Sequence, residues 1–299
     1  MKKRFLRIAL VGKVEDGRVA DSMVALAFHL RSRGLVVLVD AGITVSDLPK
    51  DVERRPVEQL ASDADLIVAI GGDGTMLFAV QLAIGRDIPL LGINRGRLGF
   101  LTDVSPDDMI ESFDTVLHGR YETDARKLLE ARLARADVPV ASRCALNDIV
   151  VQRHESGRMV ELEISIGGKF VNTHGGDGLV IASSTGSTAY ALSCGGPIIH
   201  PSLDAVVIAP ISPHTLSDRP IVVGRDNRVE VRLLERSATR AQVTCDGMLL
   251  GDLDASSRLV IEPSANVITL LHPPGYEYFR LLRSKLHWGL SGRSGGMEP

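Results

Sequence analysis

Leu66-Ile67-Val68-Ala69-Ile70 runs without a break into Gly71-Gly72-Asp73-Gly74-Thr75, and apolar residues at helical spacing follow from Met76 to Ile84. A five-residue apolar run with no polar interruption reads as a strand buried on both faces, as in a parallel sheet covered by helices. The pattern continues to either side. Leu6 to Val11, Leu35 to Val39 and Pro89 to Ile93 read as further strands. Helical spacing occupies Val19 to Leu30 and Pro106 to Leu117, and Gly34 stands where the first helix should stop. Strands and helices in alternation predict a doubly wound, Rossmann-like α/β domain.

Near Tyr121 the character changes. From Leu128 to Leu271 the apolar period is mostly two: Val160 to Ile166 alternates strictly, and Gly167-Gly168 supplies a hairpin turn. Val229 to Leu233, Gln242 to Cys245 and Leu259 to Ile261 repeat the theme, which predicts a β-sandwich-like domain. A last helix is predicted over 276–288 with Phe279, Leu282 and Leu286 on one face, and packing back on the N-terminal domain would bury that face. The expected division is an α/β domain over 1–125 completed by 276–288, and a β-rich domain over 126–272. The Gly/Ser-rich tail 289–299 is expected to be disordered.

The 299 residues suit about two domains of ordinary size. Lys plus Arg is 34 against 37 for Asp plus Glu, a net charge of −3 that argues against a general nucleic-acid binder. No run approaches the roughly 18 apolar residues of a membrane span. Met1-Lys2-Lys3-Arg4-Phe5-Leu6 opens like a signal peptide, but Arg7 interrupts the apolar stretch and Gly12-Lys13 ends it, so a buried first strand is expected instead. Cys144, Cys194 and Cys245 are odd in number and widely spaced, which predicts reduced thiols and a cytoplasmic location.

The chemistry concentrates at Gly71 to Thr75. Ligands of open α/β sheets bind beyond the carboxyl ends of the strands. Gly71, Gly72 and Gly74 would let the backbone approach a phosphate, and the start of the following helix favours an anion. Thr75 is placed to cap that helix or to touch a phosphate oxygen. The loop is neither a Walker A motif nor the G-x-G-x-x-G fingerprint. Asp73 decides between readings, because a carboxylate about 4 Å from a phosphate charge costs roughly 4 kcal/mol at an effective dielectric near 20. It caps the helix, binds a magnesium ion that bridges phosphates, or accepts a proton from a hydroxyl attacking phosphorus. The two chemical roles both imply phosphoryl transfer.

Two further segments bear on this. Asn94-Arg95-Gly96-Arg97-Leu98-Gly99-Phe100-Leu101 follows the next strand and emerges on the same sheet edge, with two arginines able to neutralise phosphate. Asp177 to Tyr190 runs a strand into a hydroxyl-rich turn, offering donors for a ribose or phosphate and an aromatic ring for stacking. Asn147-Asp148 interrupts an apolar frame and needs polar partners if buried. His154, His174, His200 and His214 show no metal-ligand spacing, and there is no G-x-S-x-G elbow.

Together these segments resemble the bacterial ATP–NAD kinase family. The matching stretches are Gly71 to Thr75, Asn94 to Leu101, Asn147-Asp148, Asp177 to Tyr190 continuing through Gly195-Gly196-Pro197-Ile198, Pro213 to Pro220, and Phe279 to Leu286, in the family's order over nearly the whole chain. Gly-Gly-Asp-Gly-Thr alone is shared with diacylglycerol-type lipid kinases and related phosphofructokinases, and the combination is far more specific. The resemblance implies transfer of the ATP γ-phosphate, with a divalent cation such as magnesium, to the 2′-hydroxyl of the adenosine ribose of NAD. It implies Asp73 as proton acceptor and Gly74 as its loop partner. Gly71, Gly72 and Thr75 would form the phosphate loop. Asn147, Asp148, Arg158, Gly175 and Asp177 would lie at the dinucleotide, and Thr188, Ala189, Tyr190 and Ser193 would hold its adenosine part. It further implies that the β-rich domain binds the dinucleotide, that the last helix is swapped back, and that the protein is a homodimer or homotetramer. The metal ligands stay unassigned.

Two positions depart from the family's pattern. Many relatives carry Arg where this chain has Gly175, which removes a cation near the dinucleotide and is expected to relax discrimination between NAD and NADH. Relatives often carry Gln where this chain has Met248, so an amide contact there is not carried over. Three competing readings remain open: a lipid or sugar kinase built on the same loop, a non-catalytic dinucleotide sensor, and a dehydrogenase. NADP formation from ATP and NAD separates them all from a NAD kinase.

Overall fold

The computed structural model describes residues 5–96, 99–136, 138–154, 159–234 and 240–288. Arg97 and Leu98 of the second loop, the candidate Arg158, and the tail 289–299 lie outside the described residues. The chain divides into two compact units, Met1–Asp124 with Thr269–Pro299, and Ala125–Ile268.

The first unit contains β1 (Arg7–Gly12), α1 (Gly17–Ser32), β2 (Val36–Asp40), β3 (Glu53–Arg55), α2 (Val57–Asp63), β4 (Leu66–Gly71), α3 (Asp73–Ala83), β5 (Leu90–Asn94) and α4 (Met109–Leu117). Asp16 starts α1 by accepting from the Arg18 N–H, and Val19, Met23, Leu26, Ala27 and Leu30 turn one stripe inward. The α1 helix ends before Gly34, whose φ of +75° favours glycine. All strand pairs here are parallel, in the order β5-β4-β1-β2-β3. Every residue of β4 and β5 is buried, as the unbroken apolar runs require. Phe113 and Val116 of α4 join Met23 and Leu26 of α1 in the core over β1 and β4. From β1 the chain winds outward through β2 and β3, and from β4 it winds the other way to β5. The direction therefore reverses between β1 and β4, and the loop after β4 opens at this switch point.

The second unit takes up β6 (Glu122–Arg135), β7 (Val138–Ala145), β8 (Asp148–Arg153), β9 (Val160–Ile166), β10 (Lys169–Gly176), β11 (Gly178–Ser183), a 3-10 turn (Thr185–Thr188), α5 (Tyr190–Ser193), β12 (Ala205–Ile211), β13 (Ile221–Gly224), β14 (Val229–Leu233), β15 (Ala241–Cys245), β16 (Met248–Leu253) and β17 (Ser257–His272). One sheet joins β10-β9-β14-β17 with β6 and β7, and the other runs β13-β12-β11-β8-β15-β16. Alternate residues of both, among them Leu133, Ile149, Leu162, Ile181, Val231 and Val243, meet in a sandwich core. Not every strand alternates. All of β11 is buried, because Val180 and Ala182 on its second face pack with Ala191 of α5 and Ile199.

The end of β17 belongs to the first unit, where Leu270 and Leu271 pair with β5, and α6 (Tyr278–Leu286) closes the same unit. The α6 helix is shorter than the 276–288 expected, since Pro273-Pro274-Gly275 precedes it and His287 at φ +53° stops it. Its buried residues are Leu281 and Leu282, while Phe279 is 54% exposed, so the expected face centred on Phe279, Leu282 and Leu286 is rotated. Leucine at both 281 and 282 gives the helix a second apolar choice, and packing took it. Among the described residues no helix is long and apolar enough to cross a membrane.

Candidate functional site

In the first unit the site is built on the turn from β4 into α3. Gly72 is the N-cap in extended conformation, and among the described residues no side chain caps the helix. Asp73 opens α3 with its carboxylate turned away from its own backbone and onto the loop after β5. Its Oδ2 accepts from the Phe100 N–H at 2.9 Å and its Oδ1 from the Leu101 N–H at 3.0 Å. Helix capping, one of the roles open to this aspartate, is not what it does. The loop reaches Asp73 because Gly99 lacks a Cβ, which would stand 2.7 Å from Asp73 Cγ and 2.6 Å from Thr102 Oγ1. Beyond it the loop is fixed: Thr102 is fully buried, Val104 bridges Ile93, and Asp103 Oδ2 lies 2.8 Å from His272 Nδ1.

Thr75 does not cap α3. Its side chain is buried over Gly71, whose missing Cβ gives it room. Gly74 is exposed, with no described atom within 4 Å of where a Cβ would be. Arg95 donates from Nε to the Arg18 carbonyl at 2.9 Å, and its N–H bonds to the Gly71 carbonyl at 3.0 Å, tying the second loop to the first.

In the second unit the centre is the peptide 146–148 between β7 and β8. The Asn147 carbonyl accepts from the Ser183 N–H at 2.9 Å, and the Ser183 hydroxyl donates to the Leu146 carbonyl. Gly186 lies against the same peptide, so a Cβ there would come within 2.6 Å of Asn147 Cα. The hydroxyl-rich turn is therefore packed on the Asn147-Asp148 pair. Asp148 is 7% exposed, and burial, followed by the charge of Asp246, pushes its carboxyl up to about 7 against the lowering effect of the Tyr190 N–H. Tyr190, 37% exposed, has its phenol pushed up by desolvation and then by Cys194, Asp177 and Asp148. Asp148 and Asp177 thus each lie within electrostatic reach of Tyr190. Asp177 accepts from Arg153 Nε at 2.6 Å.

Thr188 is half-buried with its hydroxyl donated to the Thr185 carbonyl at 3.3 Å, Ala189 is half-buried, and Ser193 is exposed. A Cβ at Gly175 would meet no described atom within 4 Å. His174, by contrast, is fully buried between Asp218 Oδ2 at 2.8 Å and the Gly178 carbonyl at 2.9 Å, a scaffold for the 174–178 segment. Residue spacing missed Asp246 and Arg153, whose partners are distant in sequence. Among the described residues no group of three His, Cys, Asp or Glu side chains is arranged to hold a metal ion. The described donor set does not fit a resident metal centre.

Family comparison bears on the whole length. Residues 10–121 match the ATP-NAD kinase N-terminal domain and residues 146–272 the ATP-NAD kinase C-terminal domain. A NAD kinase of Methylococcus capsulatus is 41% identical over 288 residues, covering 96% of this chain and 99% of its own. One of Nitrosospira multiformis is 45% identical over 289 residues, covering 96% and 97%. Among solved structures, an Archaeoglobus fulgidus NAD kinase in complex with ATP superposes with a TM-score of 0.73 at 29% identity, covering 94% of this chain and 98% of its own. Yeast NADH kinase complexed with NADH gives a TM-score of 0.89 over 98% of this chain and 91% of its own, and at 24% identity it speaks for the fold.

Proposed function

The chain belongs to the ATP-NAD kinase family, and from that premise we propose how its residues divide the reaction. It transfers a phosphoryl group from ATP to the 2′-hydroxyl of the adenosine ribose of NAD, making NADP. Asp73 accepts the proton of that hydroxyl. The observation that carries this role is the carboxylate's orientation: it opens an uncapped helix at the switch point yet faces away from that helix, fixed by the Phe100 and Leu101 N–H groups. Two N–H donors leave lone pairs on both oxygens for a further proton. An aspartate is a weak base, but a loose phosphoryl-transfer transition state needs little proton abstraction early on, so positioning dominates.

Gly71, Gly72, Gly74 and the start of α3 receive nucleotide phosphate, and Arg95 supplies positive charge on the same edge. Asn147 and Asp148 contact the acceptor dinucleotide together with Asp177, and Thr188, Ala189, Tyr190 and Ser193 hold its adenosine. A divalent cation, magnesium by preference, would accompany ATP as part of the substrate and supply charge neutralisation, since Mg²⁺ commonly binds through substrate phosphates and only one or two carboxylates. Assembly as a homodimer or homotetramer is supported by exposed apolar residues on β7 and β10, Val138, Val140 and Phe170. The free cysteines Cys144, Cys194 and Cys245 support a cytoplasmic setting.

The test is NADP formation by purified protein with ATP, a magnesium salt and NAD. Asp73→Asn should lower kcat by about 10²–10⁴-fold while calorimetry finds NAD binding nearly unchanged. A loss below about tenfold removes Asp73 as the base.

A further inference from the structure

One carboxylate in the second unit has a role that neither the sequence pattern nor the reaction assigns. Asp246 sits at the β15–β16 hairpin with φ +49°, followed by Gly247 at +77°. Two successive positive φ values are those of a two-residue type I′ turn. The turn sends the Asp246 side chain back over β8, where three consecutive peptides converge on it. Its Oδ2 accepts from the Leu146 N–H at 2.7 Å, and its Oδ1 accepts from the Asn147 and Asp148 N–H groups at 2.8 and 3.1 Å. The Asp246 N–H in turn donates to the Asp148 carbonyl at 2.9 Å. Residues 146–148 are thus gripped by Asp246 on one side and by Ser183 and the Gly186 turn on the other.

We propose that Asp246 is a positioning residue for the acceptor dinucleotide: without touching it, Asp246 fixes the peptide that presents Asn147 and Asp148. The inference rests on Asn147 and Asp148 being dinucleotide contacts. An anion in a nest of successive N–H groups is a strong, directional anchor. The same carboxylate places a negative charge beside Asp148. The other titratable groups facing Asp148 are Tyr190 and Cys194 from the α5 segment and Cys245 from β15, and Arg143 of β7 faces Cys245. Asp246 therefore acts on Asp148 by geometry and by charge, and substitutions separate the two.

The experiment uses the full-length enzyme. Asp246→Asn keeps the shape, loses the charge and turns an amide against one of the donors. The KM for NAD should rise about 10- to 100-fold, the KM for ATP should hold, and the acid limb of kcat/KM for NAD should move to lower pH as Asp148 loses a like-charged neighbour. Asp246→Glu retains the charge on a longer arm, so its KM for NAD should rise with the acid limb unmoved. This second variant also decides the matter should Asp246→Asn fail to fold. A lowered melting temperature with unchanged KM for NAD in the folded variants overturns the proposal. Asn147→Ala and Asp148→Asn are measured beside them. If these raise the KM for NAD while the Asp246 variants do not, only the positioning role is lost. If all four leave it unchanged, the dinucleotide contacts themselves are misassigned and the proposal falls with them.

Discussion

A methyl group at residue 99 should disable the reaction by displacing the proposed base without replacing it. Gly99→Ala would put a Cβ 2.7 Å from Asp73 Cγ and 2.6 Å from Thr102 Oγ1, inside van der Waals contact with both, and closer still to Asp73 Oδ1. Thr102 is fully buried and cannot retreat, so the Asp73 carboxylate must leave the Phe100 and Leu101 N–H groups. Hydrogen bonds to a charged acceptor are worth about 1.5–3 kcal/mol each, and partial solvent access places these two near the lower figure, about 3 kcal/mol together. Set against about 1.4 kcal/mol per decade of rate, that predicts a roughly 100-fold loss in kcat. The assay is steady-state NADP formation with NAD and ATP each varied, beside a thermal melt. The KM values should change little, because neither the proposed dinucleotide contacts of the second unit nor the proposed phosphate loop is altered. In an Asp73→Asn background the added loss from Gly99→Ala should nearly vanish, since both act through one carboxylate. Retention of more than about a third of wild-type kcat, a loss worth under 1 kcal/mol, would refute the link between the loop N–H groups and Asp73. The comparison also qualifies Asp73→Asn, whose amide nitrogen must face one of the two N–H donors and so disturbs the loop as well as the base.

The remaining expectations come from other parts of the molecule. Gly175→Arg fits the open space beside that residue and should shift the ratio of kcat/KM for NAD over NADH upward; an identical ratio in both proteins counts against the site. Gly186→Ala would drive a Cβ to 2.6 Å from Asn147 Cα and closer still to the Asn147 carbonyl oxygen, and an overpacking cost of about 1–3 kcal/mol should lower the melting temperature by several degrees and raise the KM for NAD. For His272, burial alone would lower the imidazole pKa, yet the hydrogen bonds and charges of Asp103 and Asp124 raise it above the ordinary 6.5. A raised folded-state pKa gives stability that is fully present below the unfolded value and is lost as pH rises through the folded one. The gap in melting temperature between wild type and His272→Gln should therefore be widest on the acid side of 6.5 and narrow with increasing pH. A gap that widens with pH contradicts the ion pairing.

How much of this was legible in residue order follows from which atoms do the holding. The parallel strands were readable because β4 and β5 are buried on both faces and admit only apolar side chains. Asp73 stands out as a candidate because a carboxylate in a phosphate-type loop is a local contradiction. Of the two roles open to Thr75, the cap fails for a local reason: Gly72 holds the cap position and leaves Thr75 to pack over Gly71. The α6 face went astray because Leu281 and Leu282 offered packing an alternative to Phe279. What residue order could not reveal is the hydrogen bonding of the two candidate carboxylates. Asp73 is held by peptides 27 and 28 residues away, and Asp246 holds peptides 98 to 100 residues away. In both cases the donor is a main-chain N–H, which every residue but proline possesses. A side-chain pattern can reveal the acceptor of such a bond but not its donor. The glycines that allow the approach, Gly99 and Gly186, are the trace left in the sequence, and they show why each glycine matters only once the neighbouring backbone is in place.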